Sequence, residues 1–530
     1  MSDAHPERPA DEVPPAPDGP APTTEVEWRR LDQRMLLVNP VQELIRFFPL
    51  VIGALVVGRS GDSNFWQLLG IAIPVAIGIV RFWITRFRIT TTQVELKRSL
   101  IGTTVLTARL DRVRAVELTS SPIHRILGLA KVEIGTGSKG SEEKFALDAL
   151  AIPEARELRV ALLHRAAVEG APAATELPPA YDEATGVPAP PVPAEDEVLM
   201  RLDPGWVRYA PLTSSGSVIA AGVLAVLGQV VEQLGESLFD EEDVLRLVLE
   251  VSVAVLIPVA IVVFLVLGAV FSVLGYFVTN WGYLLTRDAR GRSLHVRRGL
   301  LTTTETSLER ERFRGLEVRE PLGLRLAGAA RLKAVVTGIS SGESGSTQLV
   351  PPAPRKVVDR VGADLLGYSA PLVVPLRQHG PAARTRRWTR ALMGASVVPA
   401  AAAVVCWLTG LSWWAVVATL VVYPAAAALA TDRYRRLGHE LTAEHLVVRS
   451  GSLGGERAIL QRTGIIGWNI QQSWFQRRRG LATLVATTAA GDQAYAAIDI
   501  PEDQAVALAD EAVPGLLTPF VAGEQLTSAS

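Results

Sequence analysis

Arginine is the residue type in this sequence whose number and spacing suit the binding of a ligand. The stretch LERERFRGLEVRE, Leu308 to Glu320, holds four arginines and four glutamates in a 530-residue chain with a formal net charge of only -1. A guanidinium group binds phosphate or carboxylate through two parallel hydrogen bonds, so clustered arginines suit an anionic ligand. A solvated, membrane-proximal surface or a salt-bridged helix is the alternative. The contacts predicted here, for anionic lipid or a partner protein, are Arg297, Arg298, Arg310, Arg312 and Arg314.

A second candidate contact combines aromatic rings with arginines. The stretch QQSWFQRRRG, Gln471 to Gly480, places Trp474 and Phe475 beside three arginines. Rings at head-group level with arginines on phosphates are typical of an interfacial membrane anchor. A buried aromatic pair next to an exposed turn fits the pattern equally well. We predict Trp474, Arg477 and Arg478 as the contacts in this stretch.

No motif of an enzyme or a metal site accompanies these arginines. The seven histidines form no HExxH pattern, and no GxSxG, Walker loop or GxGxxG after a strand is present. The glycine-containing loop at 135–144 lacks the downstream helix of a phosphate cradle. The one cysteine, Cys406, allows no disulfide within the chain. We expect no enzymatic activity, cofactor or metal ion, and the near-zero net charge gives no reason to expect nucleic acid binding.

Membrane spans are among the elements that must position these residues. Apolar residues make up 48% of the chain and are concentrated in long runs, and a span needs about 20 of them. The first run is the weakest, because Arg46 and Arg59 lie close together, and a buried helix of a soluble domain is the alternative there. The runs form three predicted hairpins: about Val41–Gly58 and Trp66–Ile84, Leu212–Val231 and Leu247–Val278, and Ala391–Leu408 and Leu411–Ala430.

Flanking charges predict the orientation of these hairpins. Arginines lie on the side away from each hairpin turn, while the second turn, Glu232 to Arg246, is mostly acidic. The positive-inside rule therefore predicts a multi-pass protein of the cell membrane with its termini and all large polar segments in the cytoplasm. The middles of the spans contain no Asp, Glu, Lys, Arg or His apart from those near their ends, which disfavours a transporter because ion pathways need such groups at membrane depth.

The polar segments after the hairpins are three copies of one unit. Between the first two copies, a constant offset of 200 matches some forty residues, for example Gly128 with Gly328. The third copy follows at offsets of 350 to 352, and Arg112, Arg312 and Arg462 are matched as one charge common to all three. Alternating polar and apolar residues predict short strands, and a proline-marked helix start follows each set. Each unit is therefore predicted to be a run of strands closed by one helix.

These features resemble bacterial membrane proteins with pleckstrin-homology-like (PH-like) domains, of the YdbS/YdbT type. The likeness rests on a two-span hairpin, an Ile/Leu-Thr strand opening at Ile89, Leu285 and Leu441, a Gly or Ser turn, an arginine-bearing strand, a later Gly-x-Ala strand opening and a terminal helix. The resemblance implies a seven-stranded, strongly bent sheet plugged by a C-terminal helix in each unit. It also implies a role in envelope maintenance or defence, and no catalysis.

The predicted fold class is membrane α plus β, with six transmembrane helices in three hairpins, each followed by a PH-like bent antiparallel sheet with a C-terminal helix. The predicted boundaries are a disordered tail at 1–27, hairpins at 28–86, 198–280 and 388–432, PH-like domains at 87–168, 281–369 and 433–518, linkers at 169–197 and 370–387, and a tail at 519–530. We expect a scaffold whose cytoplasmic modules bind membrane lipids or a protein partner in the same membrane. The alternative is a structural subunit of a hetero-oligomeric membrane complex, and a transporter is less favoured.

Overall fold

The computed structural model of the chain covers most of the predicted helices and strands. The described residues are 28–30, 32–46, 65–90, 93–99, 103–109, 115–135, 145–159, 196–213, 216, 218–225, 253–337 and 347–515. Both predicted tails, nearly all of the first predicted linker, and the parts of the predicted spans within 47–64 and 226–252 lie outside these residues.

The elements repeat in three units. The first unit has β1 (Arg29–Arg30), α1 (Met35–Arg46), α2 (Phe65–Ile84), β2 (Thr85–Ile89), β3 (Gln93–Ser99), β4 (Thr103–Arg109), β5 (Ala115–Ser120), α3 (Pro122–Leu127), β6 (Leu129–Gly135), β7 (Phe145–Ala151) and α4 (152–159). The second has β8 (Glu197–Arg201), a 3-10 helix (Pro204–Leu212), α5 (218–225), α6 (Val253–Asn280), β9 (Leu284–Arg287), β10 (Ser293–Arg298), β11 (Thr303–Glu309), β12 (Phe313–Glu320), α7 (Leu322–Leu326), β13 (Ala329–Val336), β14 (Gln348–Pro354), α8 (Arg355–Leu366) and α9 (Ala370–Val373). The third has α10 (Gly380–Thr409), α11 (Trp414–Thr419), α12 (Val422–Arg435), β15 (Gly438–Leu441), β16 (His445–Ser452), β17 (Gly454–Gln461), β18 (Ile465–Gln471), α13 (Trp474–Arg477), β19 (Leu481–Thr488), β20 (Ala494–Pro501) and α14 (Glu502–Ala512).

Apolar helices occupy the predicted hairpins wherever the chain is described. Three of them are long and apolar enough to cross a membrane: Pro258–Asn280, Gly380–Thr409 and Trp414–Arg435. α10 ends where Gly410 adopts a left-handed conformation, with a φ of 71°, which glycine adopts without steric cost. α10 then packs against α12, and the hydroxyls of Ser396 and Tyr423 lie 3.0 Å apart. The two helices therefore lie side by side.

Each apolar segment is inserted into a unit between that unit's first and second strands. β1 pairs antiparallel with β2 and β8 pairs with β9, while a single bridge joins Arg377 to His439 in the third unit. These pairs bring the two ends of each apolar segment together. The second predicted hairpin, 198–280, therefore begins with a strand of the soluble unit, and the predicted linker at 370–387 contains α9 and the start of α10.

Strands also pair across the boundaries between units. One sheet has the order β7-β6-β5-β11-β10-β9-β8, and another has the order β14-β13-β12-β17-β16-β15. The last three strands of one unit thus continue into the first strands of the next. The seven-stranded sheet implied within each unit is not what forms, because the seven strands of one sheet come from two units.

A short 3-10 turn in the middle of the second and of the third unit explains this arrangement. The turn Arg310–Arg312 separates β11 from β12, which lie in different sheets. The turn leaves one edge of β12 without a partner from its own unit. Unpaired backbone groups on a sheet edge are costly when they are shielded from water, and β17 of the third unit satisfies them.

The same turns correct the alignment of the third unit. β11 is followed by Arg310–Arg312 and β17 by Arg462–Gly464. Arg462 is therefore the counterpart of Arg310, and Gly464 is the counterpart of Arg312. The predicted match of Arg312 with Arg462 was wrong by two residues. The prediction aligned identical residue types, whereas the strands and turns set the true alignment of the units. The remaining member of that match, Arg112, lies outside the described residues.

Apolar side chains are shared across the second boundary. Val447 and Ile459 of the third unit are fully buried in the core of the second unit. Val335 of the second unit is buried in the core of the third. Burying a side chain of this size stabilises the fold by about 1.5–3 kcal/mol. The cores of the second and third units therefore each include side chains of the other unit.

Candidate functional site

A turn in each of the last two units contacts the end of an apolar helix. The amide of Leu300, between β10 and β11, donates to the carbonyl of Val278 in α6 at 2.9 Å. The amide of Leu453, between β16 and β17, donates to the carboxylate of Asp432 in α12 at 3.2 Å. Since α6 and α12 belong to candidate spans, these turns mark the level at which the chain leaves the apolar layer.

The short helices α3, α7 and α13 lie beside the start of the apolar segment of their own unit. Arg34, just before α1, donates to the carbonyl of Leu127 at the end of α3 at 2.8 Å. Gly323 of α7 lies so close to Leu212 that a Cβ there would be 2.5 Å from its carbonyl oxygen. Arg386 of α10 donates to the N-cap hydroxyl of α13 at 3.4 Å. All three short helices are therefore at the level of the span ends.

These short helices expose large apolar side chains. Ile126 in α3 is 84% exposed, Leu326 in α7 is 78% exposed and Trp474 in α13 is 61% exposed. The rings of Trp474 and Phe475 meet edge to face at 5.0 Å, and the guanidinium of Arg478 lies 4.9 Å from the Trp474 ring. The aromatic pair is thus exposed, which excludes the alternative of a buried pair. We call Ile126, Leu326, Trp474 and Phe475 the apolar rim.

A cavity opens where the second and third units meet the end of α12. Its volume is about 370 Å³, and we call it the interface cavity. Its lining residues are Arg325, Ala428, Thr431, Asp432, Arg435, Arg436 and Arg449.

Three elements position the charged groups of the interface cavity. Asp432, Arg435 and Arg436 come from the end of α12, where a spacing of three and four residues places side chains on one helix face. Arg325 comes from the last turn of α7 and donates to Asp432 at 2.8 Å. Arg449 comes from β16. The cavity therefore exists only because the second unit is joined to the third.

The charges of the interface cavity are unbalanced. Four guanidinium groups face one carboxylate, that of Asp432. Asp432 pairs with Arg325 and, at 3.3 Å, with Nε of Arg436. Arg436 is 3% exposed, and its Nη1 has no hydrogen-bond partner among the described residues. This Nη1 has almost no accessible surface and lies against Gly455, so the attraction for an anion in the interface cavity comes from the excess of guanidinium groups.

Arg449 adds to this excess of positive charge. It lies directly opposite Arg457 on the neighbouring strand, an arrangement that destabilises a strand pair. Burial and the charge of Arg436 lower the pKa of Arg449, and burial together with Arg449 lowers the pKa of Arg457 to about 10. Arg457 donates to backbone carbonyls, including that of Val374 at 3.1 Å. Arg449 makes no ion pair with any described residue.

A second cavity, of about 330 Å³, lies on the other side of Arg449. Its charged lining residues are Arg355, Arg449 and Arg457 with Glu320, Asp359 and Glu456. Three positive and three negative groups balance one another there. The interface cavity, and not this one, therefore has the charge of an anion site.

One group of carboxylates has the spacing of metal ligands. Glu317, Glu456 and Asp492 have carboxylate oxygens within 4.8 Å of one another. Arg319 lies among them and pairs with Glu317, with Asp492 at 3.0 Å and with Glu456 at 4.0 Å. The chain's own guanidinium therefore neutralises this group, and it fastens β12 of the second unit to the third.

A buried carboxylate ties α10 to the third unit. Asp499, fully buried in β20, pairs with Arg386 and, at 2.8 Å, with Arg387, both from the start of α10. Gln476 of α13 donates to the same carboxylate at 2.9 Å. A buried carboxylate is stable only with such partners. The position of α13, and thus of the aromatic pair in the apolar rim, is fixed relative to the membrane helix.

Three regions of the chain match the bacterial PH domain model: residues 43–166, 224–364 and 394–512. Together they cover well over half of the chain. The chain belongs to the bacterial PH domain family. Each match begins within an apolar segment, and the second and third matches end in the helix that closes the unit, so a bacterial PH unit here includes part of its apolar segment.

A transmembrane protein is among the relatives of this bacterial PH chain. The UPF0699 transmembrane protein YdbT of Bacillus subtilis (strain 168) is 21% identical over 322 residues. The match covers 59% of this chain and 63% of YdbT, so the chain spans less than two thirds of its relative's length. No solved structure gives a significant match.

The structure divides the predicted contact residues into two groups. Trp474, Arg477 and Arg478 lie together in and just after α13, at the apolar rim. Arg298 ends β10 beside the turn that contacts α6, and it is buried. Arg297 precedes it and lies 3.6 Å from Glu305 on the next strand. These five predicted contacts therefore lie in or next to elements at the level of the span ends.

The remaining predicted contacts lie at the far end of β11. Arg310, Arg312 and Arg314 are separated from the Leu300 turn by the seven residues of β11, which is about 24 Å at 3.4 Å per residue. Nε of Arg312 pairs with Glu309 at 2.6 Å, and Arg314 donates to a backbone carbonyl at 2.9 Å. They stay predictions for a contact with anionic lipid or a partner protein.

The arginines of the interface cavity were not singled out from the sequence. Arg435 and Arg436 counted there only as flanking charges. One local pattern in the sequence could have identified these two arginines. The stretch Asp432-Arg433-Tyr434-Arg435-Arg436 has one carboxylate among three arginines at the end of a predicted span. No local pattern shows that α7 and β16 meet at this point, because their contact depends on pairing between units.

Proposed function

We propose that this bacterial PH protein is a non-enzymatic, multi-pass membrane scaffold that holds the phosphate of an anionic lipid head group in the interface cavity. The observation that carries the proposal is the charge of the interface cavity, in which four arginines face the single carboxylate of Asp432. Neither the family description nor the name of the relative includes a reaction. The role in envelope maintenance or defence belongs to the proposal on the family resemblance alone.

The membrane topology that we propose has six spans in three hairpins, with every bacterial PH unit in the cytoplasm of the cell. Strand pairing at both ends of each apolar segment supports it, because two ends that meet on one side require an even number of crossings. The arginines that flank the hairpins support the cytoplasmic side. The family relative being a transmembrane protein agrees with it.

The depth of the interface cavity suits a lipid phosphate. The candidate span in the third unit ends at Arg435, so the cavity opens at the boundary between the apolar layer and water. Lipid phosphates lie at this level, and an arginine near an anionic membrane surface contributes about 1 kcal/mol to binding. Guanidinium groups also bind phosphate oxygens in pairs, which favours a fixed head group over a diffuse ion cloud.

The apolar rim would hold the units against the same surface. Its aromatic and aliphatic side chains are exposed at the level of the span ends. The head-group region is apolar on one side and hydrated on the other. Tryptophan and phenylalanine beside arginine suit this region, because the rings are apolar and the guanidinium group is hydrated. The rim and the cavity therefore act on one membrane surface.

The test measures lipid-dependent thermal stability of the detergent-purified full chain. Phosphatidylglycerol should raise its melting temperature more than phosphatidylcholine does. Arg449→Gln should weaken phosphatidylglycerol binding about fivefold, the effect of about 1 kcal/mol, and Arg436→Gln should act in the same direction. The matched control is Arg290→Gln, which removes an exposed arginine from the β9–β10 turn.

The outcomes separate the alternatives. An equal loss in Arg290→Gln would indicate diffuse electrostatic attraction. A melting temperature raised by inorganic phosphate alone would identify a free anion as the ligand. Unchanged phosphatidylglycerol binding in Arg449→Gln would contradict the cavity as the site.

A further inference from the structure

The two boundaries between units are built in the same way. At each, the fifth strand of one unit pairs antiparallel with the fourth strand of the next: β5 with β11, and β12 with β17. In the third unit the Arg377 bridge is counted as the first strand, so β17 is the fourth and β18 the fifth. Ala115 lies opposite Leu308 at the first boundary, and Gly315 lies opposite Leu460 at the second. These residues are counterparts in the repeat, so the two boundaries share one register.

One fifth strand and one fourth strand are left over. Among the described residues, β18 of the third unit pairs only with β19, and β4 of the first unit pairs only with β3. β18 has the same irregularity as β12, at Gly467 in β18 and at Gly315 in β12. That irregularity does not prevent β12 from pairing with β17. The edge of β18 therefore has the geometry of a strand that pairs.

The composition of β18 and β4 also fits pairing. β18 has no charged residue, and β4 has only Arg109 at its end. Natural sheets usually protect a free edge with charges or proline, and these strands lack both. Ile466 and Ile470 of β18 and Val105 of β4 are exposed. A free edge of this composition favours pairing with a strand of another chain. Both strands are therefore suitable as interfaces.

We propose that copies of this protein join head to tail, with β18 of one copy paired to β4 of the next. The shared register places Ile470 opposite Val105, as Leu118 lies opposite Glu305 and Val318 lies opposite Arg457 at the internal boundaries. Unlike those pairs, the new pair is apolar on both strands. The interface continues an arrangement that the chain already uses twice.

The same register places Thr107 opposite Trp468 of β18, and an aromatic residue opposite a β-branched residue is a favourable cross-strand pair.

A second copy of the chain is the partner of these edges, because each internal boundary joins a fifth strand to the fourth strand of the following unit and a second copy offers the same fourth strand. Within the described chain no unit follows the one that contains β18. The free fourth strand, β4, belongs to the first unit, which is separated from β18 by both internal boundaries. A head-to-tail interface repeats until it closes into a ring or continues as a filament. In the proposed topology all units lie on one membrane face, so the assembly extends in the plane of the membrane.

The test is disulfide crosslinking in membranes, in a Cys406→Ser background because Cys406 is the one native cysteine. Chains with Val105→Cys and chains with Ile470→Cys carry different tags and are expressed together. Oxidation should give a dimer that carries both tags. The matched control combines Val105→Cys with Ile466→Cys, which lies four residues along the strand, about 13 Å away, too far for a disulfide.

A chain carrying both Val105→Cys and Ile470→Cys distinguishes two geometries. Head-to-tail assembly should give a ladder of dimers and larger species. A disulfide within one chain would overturn the proposal, as would a yield no higher than that of the Ile466→Cys control. Binding of phosphatidylglycerol to the interface cavity is not affected by either result, so this test and that of the proposed function fail independently.

A second measurement does not depend on oxidation. A chain with both Ile470→Lys and Val105→Lys places like charges opposite each other at the interface between copies. Crosslinking between copies should then fall several-fold, measured with a photo-crosslinker that does not react with amines. Mixing an Ile470→Lys chain with a Val105→Glu chain should restore it, because those charges are opposite. Loss without restoration would contradict the register.

Discussion

Arg462 shows how one residue type serves different purposes at equivalent positions of the repeat. Its guanidinium donates to the carbonyls of Ala512, Glu511 and Ala443 at 2.8, 2.6 and 3.0 Å. The last carbonyls of a helix have no partners within it, and a cation there also interacts favourably with the helix dipole. Arg462 therefore caps α14, whereas its counterpart Arg310 is exposed.

Replacing these two arginines should have unequal effects. Arg462→Ala should lower the free energy of unfolding by about 2 kcal/mol, because charged hydrogen bonds to the helix end are lost. Arg310→Ala should change it by less than about 0.5 kcal/mol, as is usual for an exposed side chain. Denaturant unfolding of the purified full chain, followed by circular dichroism, measures both. Equal effects would contradict the cap.

Sequence patterns identified individual residues where their neighbours in the chain carry the information. Trp474, Arg477 and Arg478 were found because aromatic and basic residues adjoin one another in the sequence. Arg449 was missed because its neighbours in space, Arg325 and Arg436, come from another unit and from a membrane helix. The two-residue misplacement of Arg462 has the same origin, since only strand pairing sets the register.

At the scale of elements, α10 is a membrane helix whose first turns belong to a soluble unit. Arg386 and Arg387 pair with Asp499. Just before α10, the rings of His379 and His439 share a hydrogen bond of 3.1 Å, and the other nitrogen of His379 meets the carbonyl of Ile498 at 2.8 Å. This buried polar cluster attaches α10 to the third unit.

Lowering the pH from about 6.5 to about 4 should weaken that attachment. Burial and the charges of His379 and Arg377 lower the pKa of His439 to about 4, whereas a histidine in the unfolded chain titrates near 6.5. The unfolded chain binds more protons in this window, so the free energy of unfolding falls as the pH falls. At about 1.4 kcal/mol per pKa unit, the loss reaches about 3 kcal/mol.

The control for this pH dependence is His439→Asn. The melting temperature of the full chain, measured from pH 7 to pH 4, should fall less steeply in this variant, because only the carboxylates and the other buried histidines, whose pKa values burial also lowers, then provide the dependence. The same slope in both proteins would show that the histidine pair is not responsible.

Periodicity predicted most elements because it reports burial of one face. The alternation around Val94 and Leu96 predicted β3, and both are buried. The proline-marked starts predicted the closing helices, of which α8 and α14 are examples. Pairing of β12 with β17 was not predictable in this way, since an apolar alternation does not specify which strand will lie beside it.

At the scale of the molecule, the hairpins set which side of the membrane each segment occupies. A reporter fused near residue 240 should be active outside the cell, and one fused near residue 330 should be active in the cytoplasm. The reason is the proposed topology, which has an even number of crossings between the paired strands β8 and β9 and takes its orientation from the flanking arginines. Alkaline phosphatase and a fluorescent protein active only in the cytoplasm measure the two states. Cytoplasmic activity near residue 240 would contradict the second hairpin.

Pairing between units also sets an order of events during synthesis. β5 is complete at Ser120, but its partner β11 begins at Thr303, beyond the whole second apolar segment. At roughly 5–20 residues per second, the ribosome takes about 10–40 s to reach it. The sheet of the first unit therefore stays open until β11 of the second unit has been made, and the second unit waits in the same way for β17 of the third. In the proposed topology a hairpin is inserted before each of these pairings, so maturation of the protein is vectorial.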